Sequence, residues 1–227
     1  GDDVDDVEPG ERVIVMSKFG SHVDTLSVPR DQIFKIPDEM SFKEAAAIPV
    51  NYLTAYHMMF YVGNLHPGEH LLIHAVAGGV GIAATQLAQT VDEVTVYGTA
   101  SPQKHEIAEG YGCDHTINYR EKDYKKEVEK LTDGEGVHMI LDAIGGRDWK
   151  KGYELLRPTG RLMAFGFSNM ITGEDRNWLH MLRQYVTMPF WRPWDLIADN
   201  KAIAGIQMLY LWDQKKPDSR LLRTRDH

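Results

Sequence analysis

The stretch HAVAGGVGIAATQLA, residues 74–88, constrains the fold of this chain more than any other. The preceding HLLIHA predicts a short buried strand, and the small apolar residues after the glycines recur at helical spacing. In such a strand–loop–helix unit, Gly78 and Gly79 let the backbone turn tightly, and the free N–H groups at the helix start attract a pyrophosphate. Gly81 allows close contact between helix and strand. We therefore predict a nucleotide-binding loop, although many structural turns carry a similar glycine cluster.

Strands and helices alternate regularly after this loop. Short β-rich runs such as EVTVYGTA and GVHMILDAIG are separated by helical runs such as REKDYKKEVEKLTD. This alternation predicts an α/β fold, a doubly wound parallel sheet with right-handed crossovers. Residues 1–37 contain three β-rich segments, RVIVM, VDTLSV and IFKIP. Between the two regions, Ser41 and Glu44 predict a capping box at the start of a helix that ends near Gly63.

The composition argues against several classes of partner. With 25 Lys and Arg against 33 Asp and Glu, the formal net charge is -8, which disfavours nucleic acid and anionic lipid. The one cysteine, Cys113, permits no intrachain disulfide and suits a reducing compartment such as the cytoplasm. The sequence has no apolar run long enough to span a bilayer.

The residues after the second strand of the alternating series indicate which nucleotide binds. An Asp or Glu about twenty residues beyond the glycine loop commonly holds the ribose 2′-hydroxyl. That place here reads YGTASPQK, with Thr99 and Ser101 where the acid would stand and Lys104 following. Without the acid, a 2′-phosphate is not repelled, and Ser101 and Lys104 can hold it. This points to NADPH rather than NADH or S-adenosylmethionine; a lone lysine is more often a solvated helix residue, so the missing acid is the firmer part of the argument.

Other chemistries find less support in the sequence. The ten histidines are accompanied by one cysteine, which cannot build a structural Cys₄ site, and we predict no metal. No tyrosine has a lysine four residues later, which argues against a short-chain dehydrogenase. The aromatic run YVTMPFWRPWDL predicts core packing, with a substrate mouth or a membrane-contacting patch as alternatives. No general acid can be named, so the catalytic residues stay unassigned.

Five separated motifs in the chain are shared with one known family. They are NYLTAYHMMF, AVAGGVGIAATQLA, GTASPQKHE, INYREKDY and LDAIGGRDWKKGYELLRPTGRLMAFGFSN. Together they resemble the quinone oxidoreductase (zeta-crystallin-like) branch of the medium-chain dehydrogenases/reductases, closest to its synaptic vesicle amine-transport-protein-like subgroup. The resemblance implies a Rossmann domain in which Gly78, Gly79 and Val80 supply main-chain donors to the pyrophosphate.

The same resemblance assigns roles to four further residues. Lys104 and Tyr119 would hold the 2′-phosphate of NADPH. Thr54, in LTAY, and Phe165, in AFGF, would lie near the nicotinamide. Tyr119 taken by itself is a residue type that more often packs partly buried, so its assignment depends on the resemblance.

The resemblance also implies a domain organisation. Residues 1–45 would be a remnant of the family's β-rich, barrel-like (GroES-like) catalytic domain, 46–211 the dinucleotide-binding Rossmann domain and 212–227 a polar tail. Family members carry more chain at both ends, so we expect a fragment that lacks the front of the catalytic domain and the C-terminal tail. The stretch KAIAGIQMLYLW predicts a strand, and the family implies a homodimer joined through residues 201–211.

Two functions therefore remain open. The chain is either a zinc-independent, NADPH-dependent oxidoreductase that transfers hydride to a quinone or enone, or a non-catalytic NADPH-binding scaffold or adaptor. The second hypothesis places the chain at vesicle or organelle membranes, with which it would associate peripherally. Both readings are compatible with a cytoplasmic location and a small-molecule ligand.

Overall fold

The computed structural model describes residues 4–17, 19–166, 187–208 and 210–211. These residues form two compact units, one comprising the chain up to Asn51 with the described residues from Met208 onward, the other Tyr52–Gln207. In the first unit, β1 (Val13–Val15) pairs antiparallel with β2 (Ile33–Lys35). The prediction of a strand at VDTLSV, between these two, is wrong, because residues 23–28 form bends and coil. Its apolar side chains Val23 and Leu26 are exposed, so no buried face holds the segment extended.

Helix α1 (Phe42–Tyr56) begins at the predicted capping box. The backbone N–H of Ser41 donates to Glu44 Oε2 at 2.8 Å, and the N–H of Glu44 donates to Ser41 Oγ at 3.2 Å. The helix continues as a π-helical turn, His57–Val62, which closes where Gly63 N–H donates to Met58 O at 2.8 Å. A Cβ at position 63 would overlap that carbonyl oxygen, so the predicted end near Gly63 is confirmed and has a steric reason.

The second unit is built on a six-stranded sheet in which every pairing is parallel. The strand order is β5-β4-β3-β6-β7-β8, so the order reverses between β3 and β6. This confirms the predicted doubly wound parallel sheet. In chain order the elements are β3 (His70–His74), α2 (Gly79–Ala88), β4 (Thr95–Ala100), α3 (His105–Gly110), β5 (His115–Asn118), α4 (Tyr124–Leu131), β6 (Val137–Asp142), α5 (Asp148–Leu155), β7 (Leu156–Ala164), α6 (Pro193–Asp199) and β8 (Ala202–Gly205).

The central strands of this sheet are buried on both faces. Leu72 of β3, Ile140 of β6 and Leu162 of β7 are fully inaccessible and belong to one apolar cluster. Helix α2 covers the sheet with small residues, since Ala83, Ala84 and Ala88 are buried, as its sequence periodicity predicts. The buried sheet therefore holds the carboxyl ends of its strands in fixed positions. Ligand sites in this fold are built at those ends.

The C-terminal part of the chain differs from the sequence prediction. The strand predicted for KAIAGIQMLYLW covers only Ala202–Gly205, and residues 208 and 210–211 are helical. The ladder ends there because Gly205 pairs with Ala164, the last residue of β7, and Ile206 N–H donates to Ala164 O at 2.9 Å. The sequence also favours helical structure over residues 174–200; α6 (Pro193–Asp199) lies in this range, and the part up to residue 186 lies outside the described residues.

Candidate functional site

The glycine loop turns the chain sharply from β3 into α2. Ala75, the first residue after β3, has φ of 54°, a left-handed conformation that is uncommon without glycine. Its carbonyl oxygen accepts from Gly78 N–H at 2.8 Å, and Val76 N–H donates to Thr99 O at 3.1 Å. Gly78 then takes an extended conformation as the residue preceding α2. The loop is thus held against β4 while its backbone approaches the sheet edge closely.

Gly81 and Gly78 are in contact with this turn. A Cβ at Gly81 would overlap the carbonyl oxygen of Val76 and lie 2.6 Å from that of Ala75, and a Cβ at Gly78 would lie 3.1 Å from Ala75 O. Gly81 therefore permits the close helix–strand contact that its position in the sequence predicts. Within the described residues, no side chain caps the start of α2, so its first N–H groups are available to an anion.

A cavity of about 410 Å³ opens at the carboxyl edge of the sheet, next to the point where the strand order reverses. This is the place where open α/β sheets bind ligands. It is lined by residues at or just beyond the ends of β3, β4, β5 and β6, and by side chains of α4, α5 and the loop before α4. The lining residues are His74, Ala75, Thr99, Tyr119, Lys122, Tyr124, Ile144, Asp148 and Lys151.

Two of the residues predicted from sequence line this cavity. Thr99 is buried in β4, and its Oγ1 accepts from Ala75 N–H at 3.3 Å. Tyr119 follows β5 and is 52% exposed. The Arg120 guanidinium lies over the Tyr119 ring, 6.0 Å from the ring centroid. The structure therefore brings one candidate 2′-phosphate residue to the same cavity as the start of the glycine loop.

The other predicted residues lie elsewhere in the second unit. Ser101 and Lys104 flank and end a short 3₁₀ turn after β4, and Lys104 is exposed. Thr54 is buried in α1, and Phe165 follows β7, its N–H donating to Asp142 O at 3.0 Å. These four do not line the cavity of about 410 Å³. Their assigned roles stay predictions, as do those of Gly78, Gly79 and Val80.

Sequence reasoning missed the polar floor of the site. His74 and Asp142 end the adjacent strands β3 and β6, and both side chains are fully inaccessible. Polar residues at the carboxyl ends of two apolar strands were the available signal, because burial of a charge requires a compensating contact. The sequence contains that signal, but without the strand order it does not show that the two strands are neighbours.

The cavity's cations are partly neutralised by nearby carboxylates. Lys122 Nζ lies 3.0 Å from Glu127 Oε2, and Lys151 Nζ lies 2.7 Å from Asp123 Oδ1. Lys151 Nζ is also 4.0 Å from the centroid of the Tyr124 ring. Burial raises the pKa of the Tyr124 hydroxyl far above its ordinary value, with Asp148 adding to the effect, so this phenol stays protonated. The cavity thus combines aromatic walls with basic groups at its rim.

Comparison with known proteins identifies the family. The sequence profile of the family described as "Zinc-binding dehydrogenase" matches residues 79–208. This chain belongs to the medium-chain dehydrogenases/reductases. The rat "Synaptic vesicle membrane protein VAT-1 homolog" is 41% identical over 222 residues, covering 98% of the chain and 55% of that relative. The resemblance seen in the motifs is therefore confirmed.

Solved structures of this family share the fold over most of the chain. The crystal structure of human synaptic vesicle membrane protein VAT-1 homolog-like protein matches with a TM-score of 0.77 and 33% identity, covering 98% of this chain and 59% of that one. Escherichia coli quinone oxidoreductase complexed with NADPH matches with a TM-score of 0.77 and 25% identity, covering 96% and 62%. This medium-chain dehydrogenase/reductase chain spans little more than half the length of these relatives.

Ranges 4–17, 19–166, 187–208 and 210–211 contain no group of three or more His, Cys, Asp or Glu placed to hold a metal ion. None of the helices within those ranges has the length and apolar character needed to cross a membrane.

One buried and two half-buried histidines make the stability of this protein sensitive to acid. Burial lowers the pKa of His74, and burial together with the charge of Arg157 lowers the pKa of His70 and His138. The unfolded chain then binds more protons than the folded one as the pH falls below the ordinary histidine pKa, about 6.5. This contribution to the free energy of unfolding is complete above that pH and is lost as the pH falls toward the folded-state values.

We expect urea unfolding at about pH 5.5 to give a lower free energy of unfolding than at about pH 7.5, with His74 contributing up to about 1.4 kcal/mol per pH unit. The variant His74→Gln should flatten that dependence, whereas His22→Gln, at an exposed position, should leave it unchanged. An identical pH dependence in wild type and His74→Gln would contradict the assignment.

Proposed function

We propose that this chain is the cofactor-binding part of a zinc-independent, NADPH-dependent oxidoreductase that reduces a quinone or enone. The observation that carries the proposal is the cavity at the carboxyl edge, beside a glycine loop whose helix start is uncapped within the described residues. The similarity to a quinone oxidoreductase that was solved with NADPH supports the same cofactor class. Because the chain spans 55% of its rat relative, turnover is proposed for a protein of that relative's full length.

The residues present fit a dinucleotide. The backbone N–H groups of Gly79 and Val80 would bind the pyrophosphate, whereas that of Gly78, predicted as a further donor, donates to Ala75 O at 2.8 Å in this structure. A Cβ at Gly78 would crowd the loop that presents these groups. Tyr119 and Ile144 give the cavity an aromatic and an aliphatic wall, which suits a planar adenine. The remaining assignments belong to the same proposal: Ser101, Lys104 and Tyr119 for the 2′-phosphate, Thr99 for the cavity floor, and Thr54 and Phe165 for the nicotinamide side.

NADPH, when bound, would supply the hydride. The chain's own residues would bind the phosphates, orient the cofactor and exclude water from it. A quinone needs little acid catalysis, because solvent can protonate the reduced oxygen. We therefore assign no proton donor to this chain, and the proposed role of its residues is binding and positioning.

Cofactor choice is the direct test of this proposal. Titration by nucleotide fluorescence should show NADPH binding at least about tenfold more tightly than NADH, since a charge-assisted contact to the 2′-phosphate is worth that much. Lys104→Ala should weaken NADPH and leave NADH unchanged. Lys130→Ala removes an exposed lysine of α4 and serves as the matched control. Equal affinity of the wild type for both cofactors would contradict the proposed NADPH preference.

The proposal includes a homodimer joined through residues 201–211. Among the described strands, β8 pairs only with β7, which leaves its outer edge open to a second chain. Ile206 N–H donates toward β7, so by the two-residue period of a strand Gly205 N–H points outward. Two such edges can pair across a two-fold axis.

Sedimentation should therefore show a dimer that Gly205→Pro dissociates. Proline removes the outward N–H, and the position has open space for its ring since no heavy atom lies within 4 Å of an added Cβ. Gly205→Ala keeps the N–H and should remain dimeric. A monomeric wild type contradicts the dimer, and a dimeric Gly205→Pro variant places the interface elsewhere.

The names of the relatives favour a second candidate function. The rat relative is named a synaptic vesicle membrane protein, which fits an NADPH-binding scaffold or adaptor that associates peripherally with vesicle or organelle membranes from the cytoplasm. An NADPH oxidation assay with a panel of quinones and enones, on a protein of the rat relative's full length, separates the two candidate functions. Turnover supports the reductase, whereas NADPH binding without turnover, together with flotation on vesicles, supports the scaffold.

A further inference from the structure

Two buried polar atoms face each other beneath the cavity. His74 Nε2 and Asp142 Oδ2 are 4.0 Å apart, both side chains are fully inaccessible, and neither atom has a hydrogen-bond partner among the described residues. The other carboxylate oxygen, Asp142 Oδ1, accepts from the N–H groups of Ile144 at 2.7 Å and Gly145 at 2.9 Å. Asp142 therefore holds the loop after β6 with one oxygen and faces His74 with the other.

The opposite side of the imidazole contacts a hydroxyl, which can donate to the ring or accept from it. His74 Nδ1 lies 3.1 Å from Thr99 Oγ1, and that oxygen accepts from Ala75 N–H at 3.3 Å. The hydroxyl keeps its own hydrogen for an acceptor, and Nδ1 is the ring nitrogen in reach. When the hydroxyl donates, Nδ1 is the acceptor, and the hydrogen of the neutral ring is on Nε2, pointing toward Asp142.

The surroundings keep this imidazole neutral. Burial lowers the pKa of His74, and Asp142 and Asp148 oppose that effect less than burial produces it. The groups that face the ring are Asp142 from β6, Asp148 and Lys151 from α5, and Tyr124 from α4, whose ring meets it edge-on at 4.7 Å between centroids. The opposite tautomer would direct the Nε2 lone pair at a carboxylate, which is repulsive.

We infer that His74 and Asp142, with Thr99, are positioning residues that set the spacing between the glycine loop and the loop after β6. The chain of contacts runs from Ala75 N–H through Thr99 Oγ1, the His74 ring and Asp142 to the N–H groups of Ile144 and Gly145. This inference rests on the proposed function, because the two loops flank the place between β3 and β6 where the strand order reverses and across which a dinucleotide would lie.

We call this chain of contacts, from Ala75 N–H to the N–H groups of Ile144 and Gly145, the relay; it joins the glycine loop to the loop after β6. Ala75 has a left-handed φ of 54°, and Gly145 and Gly146 have φ of 78° and 67°. For Ala75 this conformation persists only where surrounding contacts determine it, whereas the two glycines adopt theirs without strain and are positioned by the contacts of Asp142 with the loop. A change in the relay would therefore move the backbone of both loops, and with it the N–H groups and the cavity wall that are proposed to contact NADPH.

The first test measures NADPH affinity in three variants. His74→Leu removes both polar contacts and should weaken NADPH binding by about tenfold or more, because it takes the imidazole away from Thr99 and from the buried carboxylate of Asp142, which hold the two loops. His74→Gln offers an amide oxygen to Thr99 and an amide N–H to Asp142, so its affinity should stay within about threefold of the wild type. Leu72→Ala destabilises the same strand without touching the relay and controls for stability; its affinity should be unchanged.

The second test reads the imidazole directly and needs no cofactor. Nitrogen-15 NMR of the histidine rings, with His74 assigned by its loss in His74→Gln, should show the neutral tautomer with hydrogen on Nε2. In Asp142→Asn, Oδ1 still accepts from the loop and the new amide N–H faces Nε2, so the hydrogen should move to Nδ1. A purely space-filling role for His74 would not produce this change of tautomer.

The outcomes separate the two proposals. A wild type that binds no NADPH contradicts the proposed function and, with it, the positioning role. A wild type that binds NADPH while His74→Leu binds it equally well contradicts the positioning role alone. Hydrogen on Nδ1 in the wild type, or an unchanged tautomer in Asp142→Asn, contradicts the relay itself.

Discussion

Replacing Gly79 by aspartate should weaken NADPH binding strongly while the protein stays folded. Gly79 is the first residue of α2, is exposed and has no positive φ, so an aspartate fits its backbone. A carboxylate at a helix start interacts favourably with the helix dipole, by about 0.3–1 kcal/mol. The same carboxylate occupies the place proposed for a pyrophosphate and repels it. We expect affinity to fall by about a hundredfold or more, equivalent to about 3 kcal/mol.

The opposite signs of these two effects make the test specific. Fluorescence titration measures NADPH affinity, and urea unfolding of the same samples should give an equal or higher free energy of unfolding. Gly79→Asn has nearly the same size without the charge and should lose less affinity than Gly79→Asp. If Gly79→Asp binds NADPH as the wild type does, the loop has a structural role only.

The parts of the fold that follow from local patterns are the parts that the sequence predicts. The capping box of Ser41 and Glu44 needs only four residues, and the alternation of strands and helices needs only their periodicity. The strand predicted at VDTLSV depends instead on a neighbouring strand, and local propensity cannot supply one. The same limit applies to KAIAGIQMLYLW, whose strand ends where β7 ends, at the pairing of Ala164 with Gly205.

The candidate site shows the same division. The glycine loop is contiguous in the sequence, so its turn at Gly78 and its close contact at Gly81 can be predicted there. In the sequence, His74 and Asp142 are separated by two strands of the sheet, β4 and β5, and by the helices between them, so the pair becomes visible only when β3 and β6 are neighbours. Strand order is set by the whole unit, so contacts that depend on it lie beyond reasoning from single segments.

Replacing Gly81 by alanine should damage both the fold and the site. The added methyl would overlap the carbonyl oxygen of Val76 and lie 2.6 Å from that of Ala75. Both are backbone atoms, and Ala75 is already in a left-handed conformation, so the turn has little room to adjust. Either α2 moves away from the sheet or the glycine loop shifts. Overpacking of this kind typically costs about 1–3 kcal/mol, which urea unfolding measures. NADPH affinity should fall as well, by about tenfold, because the N–H groups at the start of α2 move with the loop.

A matched substitution separates this steric effect from the general consequences of losing a glycine. Gly110, the last residue of α3, has open space where its Cβ would be and no positive φ, so Gly110→Ala should be neutral or stabilising by up to about 1 kcal/mol, since alanine favours helix. Unfolding curves of the two variants should therefore shift in opposite directions. If Gly81→Ala is as stable as Gly110→Ala and binds NADPH normally, the close contact between α2 and the turn after β3 is not required, and the loop tolerates the side chain by a small shift of the helix.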